Sequence, residues 1–225
     1  MSKGADDDLN HDLLDDKGGL NNSSGDDNPT GSGNHKSFKF TIENGQVTAV
    51  FEFKDGVFEQ KNLDGDETYT VSGNNIIHTE QKPFGTETTI LSDPEGDGIY
   101  TRFSESVSGG NFKYNGSLVY RGFDSSDDNL VVRGDESSHG GSGSDSFYFR
   151  EASHLEIEDF HHAEHDKIVF DTGLGLQSKE HLASFITDAH FLGDDFLINF
   201  GPDVSIKLIG VHDGQISWDD VAVLS

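Results

Sequence analysis

No cysteine occurs in the 225 residues, which excludes disulfides and a thiolate zinc site. Positive charge is scarce as well: 15 Lys and Arg stand against 42 Asp and Glu, a formal charge of -27. Such a chain repels nucleic acid and anionic membrane and attracts cations, so no nucleic-acid partner is expected. Apolar residues make up only 32% of the sequence, so any core is thin relative to its surface, and something besides packing should help the chain fold. No apolar run approaches the ~20 residues of a membrane span, and no transmembrane segment is expected. The first residues, Met1-Ser2-Lys3-Gly4-Ala5-Asp6, lack the apolar stretch of a secretory leader.

What is present changes along the chain in three textures. Residues 1–37 hold Asp6, Asp7, Asp8, Asp12, Asp15, Asp16, Asp26 and Asp27 among Asn, Ser and Gly, and read as a disordered acidic tail. From Phe38 the pattern becomes strand-like alternation, as in Phe38-Lys39-Phe40-Thr41-Ile42 and Val47-Thr48-Ala49-Val50-Phe51-Glu52-Phe53. Asn44-Gly45, Asp55-Gly56, Asp64-Gly65, Gly73-Asn74 and Gly96-Asp97-Gly98 punctuate these runs and predict an antiparallel β-domain over 38–122. Inside it, Gly65-Asp66-Glu67-Thr68-Tyr69-Thr70 resembles Gly96-Asp97-Gly98-Ile99-Tyr100-Thr101, as two hairpins of similar design would produce, and so would chance in a chain this rich in Gly and Asp. The phenylalanines, at alternating positions, are expected in the core; Tyr100, Tyr114, Tyr120 and Trp218 are the candidates for a sugar-binding face.

The third texture, 123–225, holds short strands and one helical stretch. There Ser178 is the expected N-cap, and Leu182, Phe185 and Ile186 fall on one face. Asp195–Phe200 and Val204–Leu208 flank Gly201-Pro202-Asp203 and predict a hairpin. The most informative residues lie earlier, in Gly140-Gly141-Ser142-Gly143-Ser144-Asp145-Ser146-Phe147, which fits the nonapeptide G-G-x-G-x-D-x-U-x. Gly141 and Gly143 allow turns that aim backbone carbonyls inward, Asp145 adds a carboxylate, and Phe147 anchors the strand in a narrow core. That chemistry suits Ca²⁺.

Other candidate sites are less specific. Asp93-Pro94-Glu95-Gly96-Asp97-Gly98 places acidic oxygens at positions 1, 3 and 5 of an EF-hand-like loop, but position 12 is Ser104 and the flanks read as strands. A Ca²⁺-binding β-turn using Asp93, Glu95 and Asp97 is the reading kept, beside that of a plain solvated turn. His161-His162-x-Glu164-His165 would suit a transition metal only on a helix, and the segment reads as a polar loop. No G-x-S-x-G elbow appears, and no catalytic residue is assigned.

Taken together, Gly140–Phe147, Ile157-x-Asp159-Phe160, Asp166-Lys167-Ile168 and the late strand Val204-x-Ile206-x-Leu208-x-Gly210-Val211 resemble the end of an RTX protein. These are calcium-binding exoproteins exported by bacterial type I secretion. The resemblance covers about 124–225. It implies the last rungs of a short, degenerate parallel β-roll with its hydrophobic cap, Ca²⁺ as the cofactor and the type I secretion machinery as a partner. It also implies an extracellular location and an export signal that includes Trp218–Ser225. One nonapeptide is well formed; Asp128-Asn129-Leu130-Val131-Val132, with Gly134-Asp135 following, reads as a degraded earlier turn. Asp128 and Asp135 are therefore further candidate ligands.

The expected protein is mainly β. It is a secreted calcium-binding chain that folds on Ca²⁺ outside the cell, with 38–122 acting as a binding module for a surface glycan or matrix component. Two other readings stay open: an extracellular enzyme, polysaccharide-acting or cutting itself at Asp93-Pro94, and an acidic calcium buffer or matrix component.

Overall fold

The computed structural model describes residues 36–83, 85–123, 125–134 and 136–225. The acidic tail, apart from its last two residues, and Asp135 lie outside the described residues.

An antiparallel meander forms first: β1 (Ser37–Glu43), β2 (Gln46–Lys54), β3 (Val57–Gln60), β4 (Glu67–Ser72), β5 (Asn75–Lys82), β6 (Gly85–Ser92), β7 (Tyr100–Ser108) and β8 (Ser117–Val119). The two-residue turns are those the sequence predicts. Asn44-Gly45 and Asp55-Gly56 each place both central residues at positive φ, as a type I′ hairpin turn requires. Strand β7 is the hub: it pairs with β6 along its length, with β1 at Tyr100 and Thr101, and with β8 at Ser104–Ser106. Alternation buries Phe38, Val50, Ile76 and Leu91 as one cluster. The two tyrosines of the internal repeat, Tyr69 and Tyr100, both pack on Phe40, with ring centroids 5.7 and 5.1 Å away.

Beyond β8 the pairing turns parallel. β9 (Asn129–Val132), β11 (Ser146–Phe149), β13 (Lys167–Phe170) and β17 (Val221–Val223) form one face. β10 (Ser137–Ser138), β12 (His154–Ile157) and β16 (Ser205–Leu208) form the opposite face, so the chain alternates between two parallel sheets as a β-roll. The degraded turn is a full rung: Asn129 to Val132 pair in register with Ser146 to Phe149. Leu130, Val132, Phe147, Phe149, Ile157 and Leu208 fill the interior between the faces. Each such fully buried side chain contributes roughly 1.5–3 kcal/mol. Sheet pairing runs unbroken from the meander into the roll, because β8 also pairs in parallel with β9 at Val119 and Leu130.

The roll is closed by α1 (Lys179–Ala183), β14 (Asp188–Leu192) and β15 (Asp195–Asn199). Ser178 caps α1 by accepting from the His181 N–H, and β15 pairs with β16 as the expected hairpin. The sequence pattern differs from the structure in three places. The helix stops at Ala183, so Phe185 lies beyond it and is 49% exposed while Leu182 is buried. Strand β14 extends the hairpin into three strands. Phe103, Phe123 and Phe191 are also exposed, so not every phenylalanine is a core residue.

Candidate functional site

Three aspartates stand one residue before the strands of the roll, in the order Asp128 (β9), Asp145 (β11) and Asp166 (β13). The in-register pairing stacks them as a ladder along one edge. The Asp128 N–H donates to Asp145 Oδ1 at 2.8 Å, and the Asp145 N–H donates to Asp166 Oδ1 at 2.9 Å. Asp166 Oδ2 accepts from the His161 N–H at 2.7 Å. The glycine-rich turn is held from the side: Asp159 accepts from the Gly140 and Gly141 N–H groups, Glu164 from the Gly143 N–H, and Asp127 from the Ser144 N–H. The sequence thus uses its excess of carboxylates to satisfy turn amides that no strand pairs.

One oxygen is left over. Asp145 is 0% exposed, and its Oδ2 is buried without a hydrogen-bond partner. Burial, with the charges of Asp166, Asp128 and Asp159 behind it, pushes the Asp145 carboxyl up to about 6 despite the amide from Asp128. Burial pushes Asp166 up as well. Gly140 makes room for the orphan oxygen: a Cβ there would fall within 3.0 Å of Asp145 Oδ2. One rung earlier Gly122 lies against the Gly140 carbonyl and Asp128 Oδ2, an oxygen that accepts from the Phe123 N–H and the Ser126 hydroxyl. Among the described residues, no three carboxylate or imidazole side chains gather closely enough to hold a metal by themselves. A cation at this edge would therefore draw on backbone carbonyls as well.

The candidate residues of the sequence are only partly brought together. Asp128, Gly141, Gly143 and Asp145 share this edge. Asp93, Glu95 and Asp97 occupy a separate exposed turn between β6 and β7, where Asp93 accepts from the N–H groups of Gly96, Asp97 and Gly98. Both Asp93 oxygens therefore organise the turn itself. The histidines do not converge: His162 pairs through Nδ1 with Asp220 Oδ2 at 2.8 Å, and His165 adopts the left-handed conformation that ends a single 3-10 turn. Asp159 and Asp166 belong to the edge and were not among the expected ligands. For Asp166 the signal was the shared spacing Asp128-x-Leu130, Asp145-x-Phe147 and Asp166-x-Ile168; Asp159 carries no such signal.

A second polar region lies where the meander meets the roll. Tyr120 accepts from Arg102 and Arg133 and donates to Glu105 Oε2 at 2.9 Å. Arg133 also pairs with Glu105 and with Glu87, the latter at 3.0 Å, and Arg102 pairs with Glu136 at 2.7 Å. Burial pushes the Glu87 carboxyl up, but the Arg133 guanidinium overrides it and holds the group below its ordinary value. Burial, then the Glu105 charge, drives the Tyr120 phenol well above its usual range. Beside this network opens a polar cavity of about 630 Å³. Lys61, Tyr69 and His78 line it and are held together by the buried Glu67, with the Tyr69 and His78 rings stacked at 4.4 Å. Burial, with Lys61 behind it, pulls the His78 imidazole down, and burial pushes the Tyr69 phenol up to about 12.

The sequence matches no protein-family profile and no curated protein. Among solved structures, the extracellular lipase LipA from Serratia marcescens is similar at 20% identity, over 82% of this chain and 30% of that one, with a TM-score of 0.27. The chain thus spans about 30% of that lipase's length, and at this score the likeness says nothing of activity. No helix among the described residues is long and apolar enough to cross a membrane.

Proposed function

We propose that this chain is a secreted calcium-binding protein whose roll folds on Ca²⁺ outside the cell, after export by a type I secretion machinery, and whose antiparallel part is a binding module for a surface glycan or matrix component. The observation that carries this reading is the buried, unpartnered Asp145 Oδ2 facing Gly140 of its own glycine-rich turn. A buried carboxylate oxygen without a donor is costly, and a divalent cation is the ligand chemistry that relieves it. The donor set fits: Asp145 and Asp128 would supply carboxylate oxygens, and Gly141 and Gly143 the backbone carbonyls of their turn. The cation would supply charge neutralisation and nothing more. The residues do the rest, with the Asp128 N–H fixing the Asp145 carboxylate and Asp166 Oδ1 accepting from the Asp145 backbone N–H.

With a net charge of -27, the chain resists compaction wherever free Ca²⁺ is scarce. A cation that binds the folded form alone offsets this by roughly 2.7 kcal/mol at a hundredfold excess over its dissociation constant. Export and folding are then linked by one ion. The test is far-UV circular dichroism of the calcium-stripped chain titrated with Ca²⁺, with Mg²⁺ as the control for charge screening. A cooperative gain of β-signal with Ca²⁺ alone is expected. A stripped chain that is already fully folded and indifferent to Ca²⁺ would reject the proposal.

A further inference from the structure

The polar cavity between the meander and the roll has the size and chemistry of a ligand site. Its volume of about 630 Å³ lies within the range of small-molecule pockets, roughly 300–1,000 Å³. Its lining departs from the composition of the chain. Among the described residues, six Lys and Arg side chains line it against four Glu, and Glu67, Glu136 and Glu105 pair with Lys61, Arg102 and Arg133 of that lining. In a protein of strongly negative charge, this concavity is close to charge balance. At physiological ionic strength, charges beyond about 8 Å are largely screened, so this local lining and not the total charge governs what enters.

Hydrogen-bonding capacity points the same way. Lys54 is held by Glu52 at 2.8 Å and Lys82 by Glu80 at 2.5 Å. An ammonium carries three donors and no acceptor, so each such pair presents further N–H groups to the space beside it. The carboxylates are engaged by these cations and by Arg133. The cavity is therefore rich in donors and asks for a ligand rich in acceptors. Tyr69, stacked on His78, adds a ring edge and a polar tip to the wall.

Both parts of the chain build this wall. Gly134, Glu151 and Ser153 reach it from the roll, just past the ends of β9 and β11, while Lys54, Lys82 and Tyr69 reach it from the meander. Arg133 ties the two sides together through Glu87 and Glu105.

We infer that this cavity binds an acidic saccharide, at a site whose wall is shared by the meander and the roll. This rests on the binding-module reading above and gives that module its ligand class. Carboxylated and sulfated sugars share the required chemistry: an anionic group for the lysines and hydroxyls for the remaining donors.

The test is fluorescence polarisation with three labelled oligosaccharides, an oligogalacturonate, a heparin-derived octasaccharide and neutral cellohexaose, on the full chain at 150 mM salt with excess Ca²⁺. Circular dichroism is recorded on the same samples. Saturable binding of one acidic probe and none of the neutral one is expected, and which acidic probe binds separates carboxylate from sulfate. The double variant Lys54→Gln with Lys82→Gln removes charge from the meander wall, and Ser153→Phe fills the roll wall. Each should weaken binding at least tenfold with an unchanged spectrum. Acidic binding that survives both changes, or no binding to a folded chain, overturns the inference. Binding of the neutral probe that Ser153→Phe abolishes would overturn the acidic assignment while leaving the module reading intact. The circular dichroism response to Ca²⁺ scores the calcium reading separately.

Discussion

The backbone N–H of Asp128 donates to Asp145 Oδ1 at 2.8 Å, leaving the second oxygen of the same carboxylate buried and unpartnered. One oxygen fixes the register of two rungs, and the other carries the electrostatic penalty. The two roles can be separated, because an asparagine can perform the first without incurring the second.

Replacing Asp145 by Asn keeps an oxygen to accept from the Asp128 N–H and puts an amide where the orphan oxygen lies. In chelator, the variant should melt no lower than the wild type, since it buries no charge. In saturating Ca²⁺ it should lose the roughly 2.7 kcal/mol expected at a hundredfold excess of ligand. Paired thermal melts with and without Ca²⁺ measure both effects. A variant that melts lower in chelator while keeping the full calcium shift would place the ion elsewhere.

The same carboxylate sets a pH dependence of known sign. Its folded value is raised to about 6, above that of an ordinary aspartate near 4, so between these values the folded chain holds a proton that the unfolded chain has lost. Its contribution to stability therefore falls as pH rises through this window, and burial of Asp166 adds in the same direction. Calcium reverses the sign, because the ion competes with the proton and binds more tightly as pH rises through about 6. Asp145→Asn subtracts the effect: the wild-type minus variant stability in chelator should decrease from pH 4 to pH 6.5. A flat difference would mean that Asp145 does not titrate in that range.

The roll was legible because its signals are local. Glycine spacing marks the turn, Asp145-x-Phe147 marks the strand, and the weaker Asp128-x-Leu130 proved sufficient for a rung that pairs in full register. The hairpin turns Asn44-Gly45 and Asp55-Gly56 were legible for the same reason, since positive φ at both positions selects those residues. What could not be read depends on partners distant in sequence. Glu87 and Glu105 occupy buried positions of β6 and β7, and partners distant in sequence explain them, Arg133 for both and Tyr120 for Glu105. Asp159 reads as a strand-end acid until its oxygens are seen on the amides of Gly140 and Gly141. Phe185 continues the helical spacing of Leu182, but Ser184 ends α1 before that face can be buried.

Gly140 should be intolerant of even one methyl group. A Cβ there would fall within 3.0 Å of Asp145 Oδ2, so Gly140→Ala must displace the carboxylate or the turn. Destabilisation of about 1–3 kcal/mol by overpacking is expected, with a weakened calcium response. Gly65→Ala is the matched control, because nothing lies within 4 Å of its added Cβ. Chemical denaturation of the two variants in Ca²⁺ checks the contrast, and equal losses would show that the cradle tolerates the methyl group.

Arg133 should be the most sensitive single position at the junction of the meander and the roll. It leaves the end of β9 and meets Glu87, Glu105 and the Tyr120 hydroxyl, so Arg133→Met strands Glu87 and takes the nearest cation from Glu105, which keeps the Tyr120 hydroxyl. Removing one partner of a fully buried pair costs about 3–5 kcal/mol, and the lower end is expected here because the arginine side chain is 18% exposed. The loss should also acquire a pH signature. Arg133 is what holds Glu87 below its ordinary value, so without it burial pushes that carboxyl up and the variant recovers stability as pH falls toward 5. Denaturation midpoints for wild type and variant at pH 5 and pH 7.5 test this. A gap that is the same at both pH values would assign the loss to packing alone and not to the stranded Glu87 carboxylate.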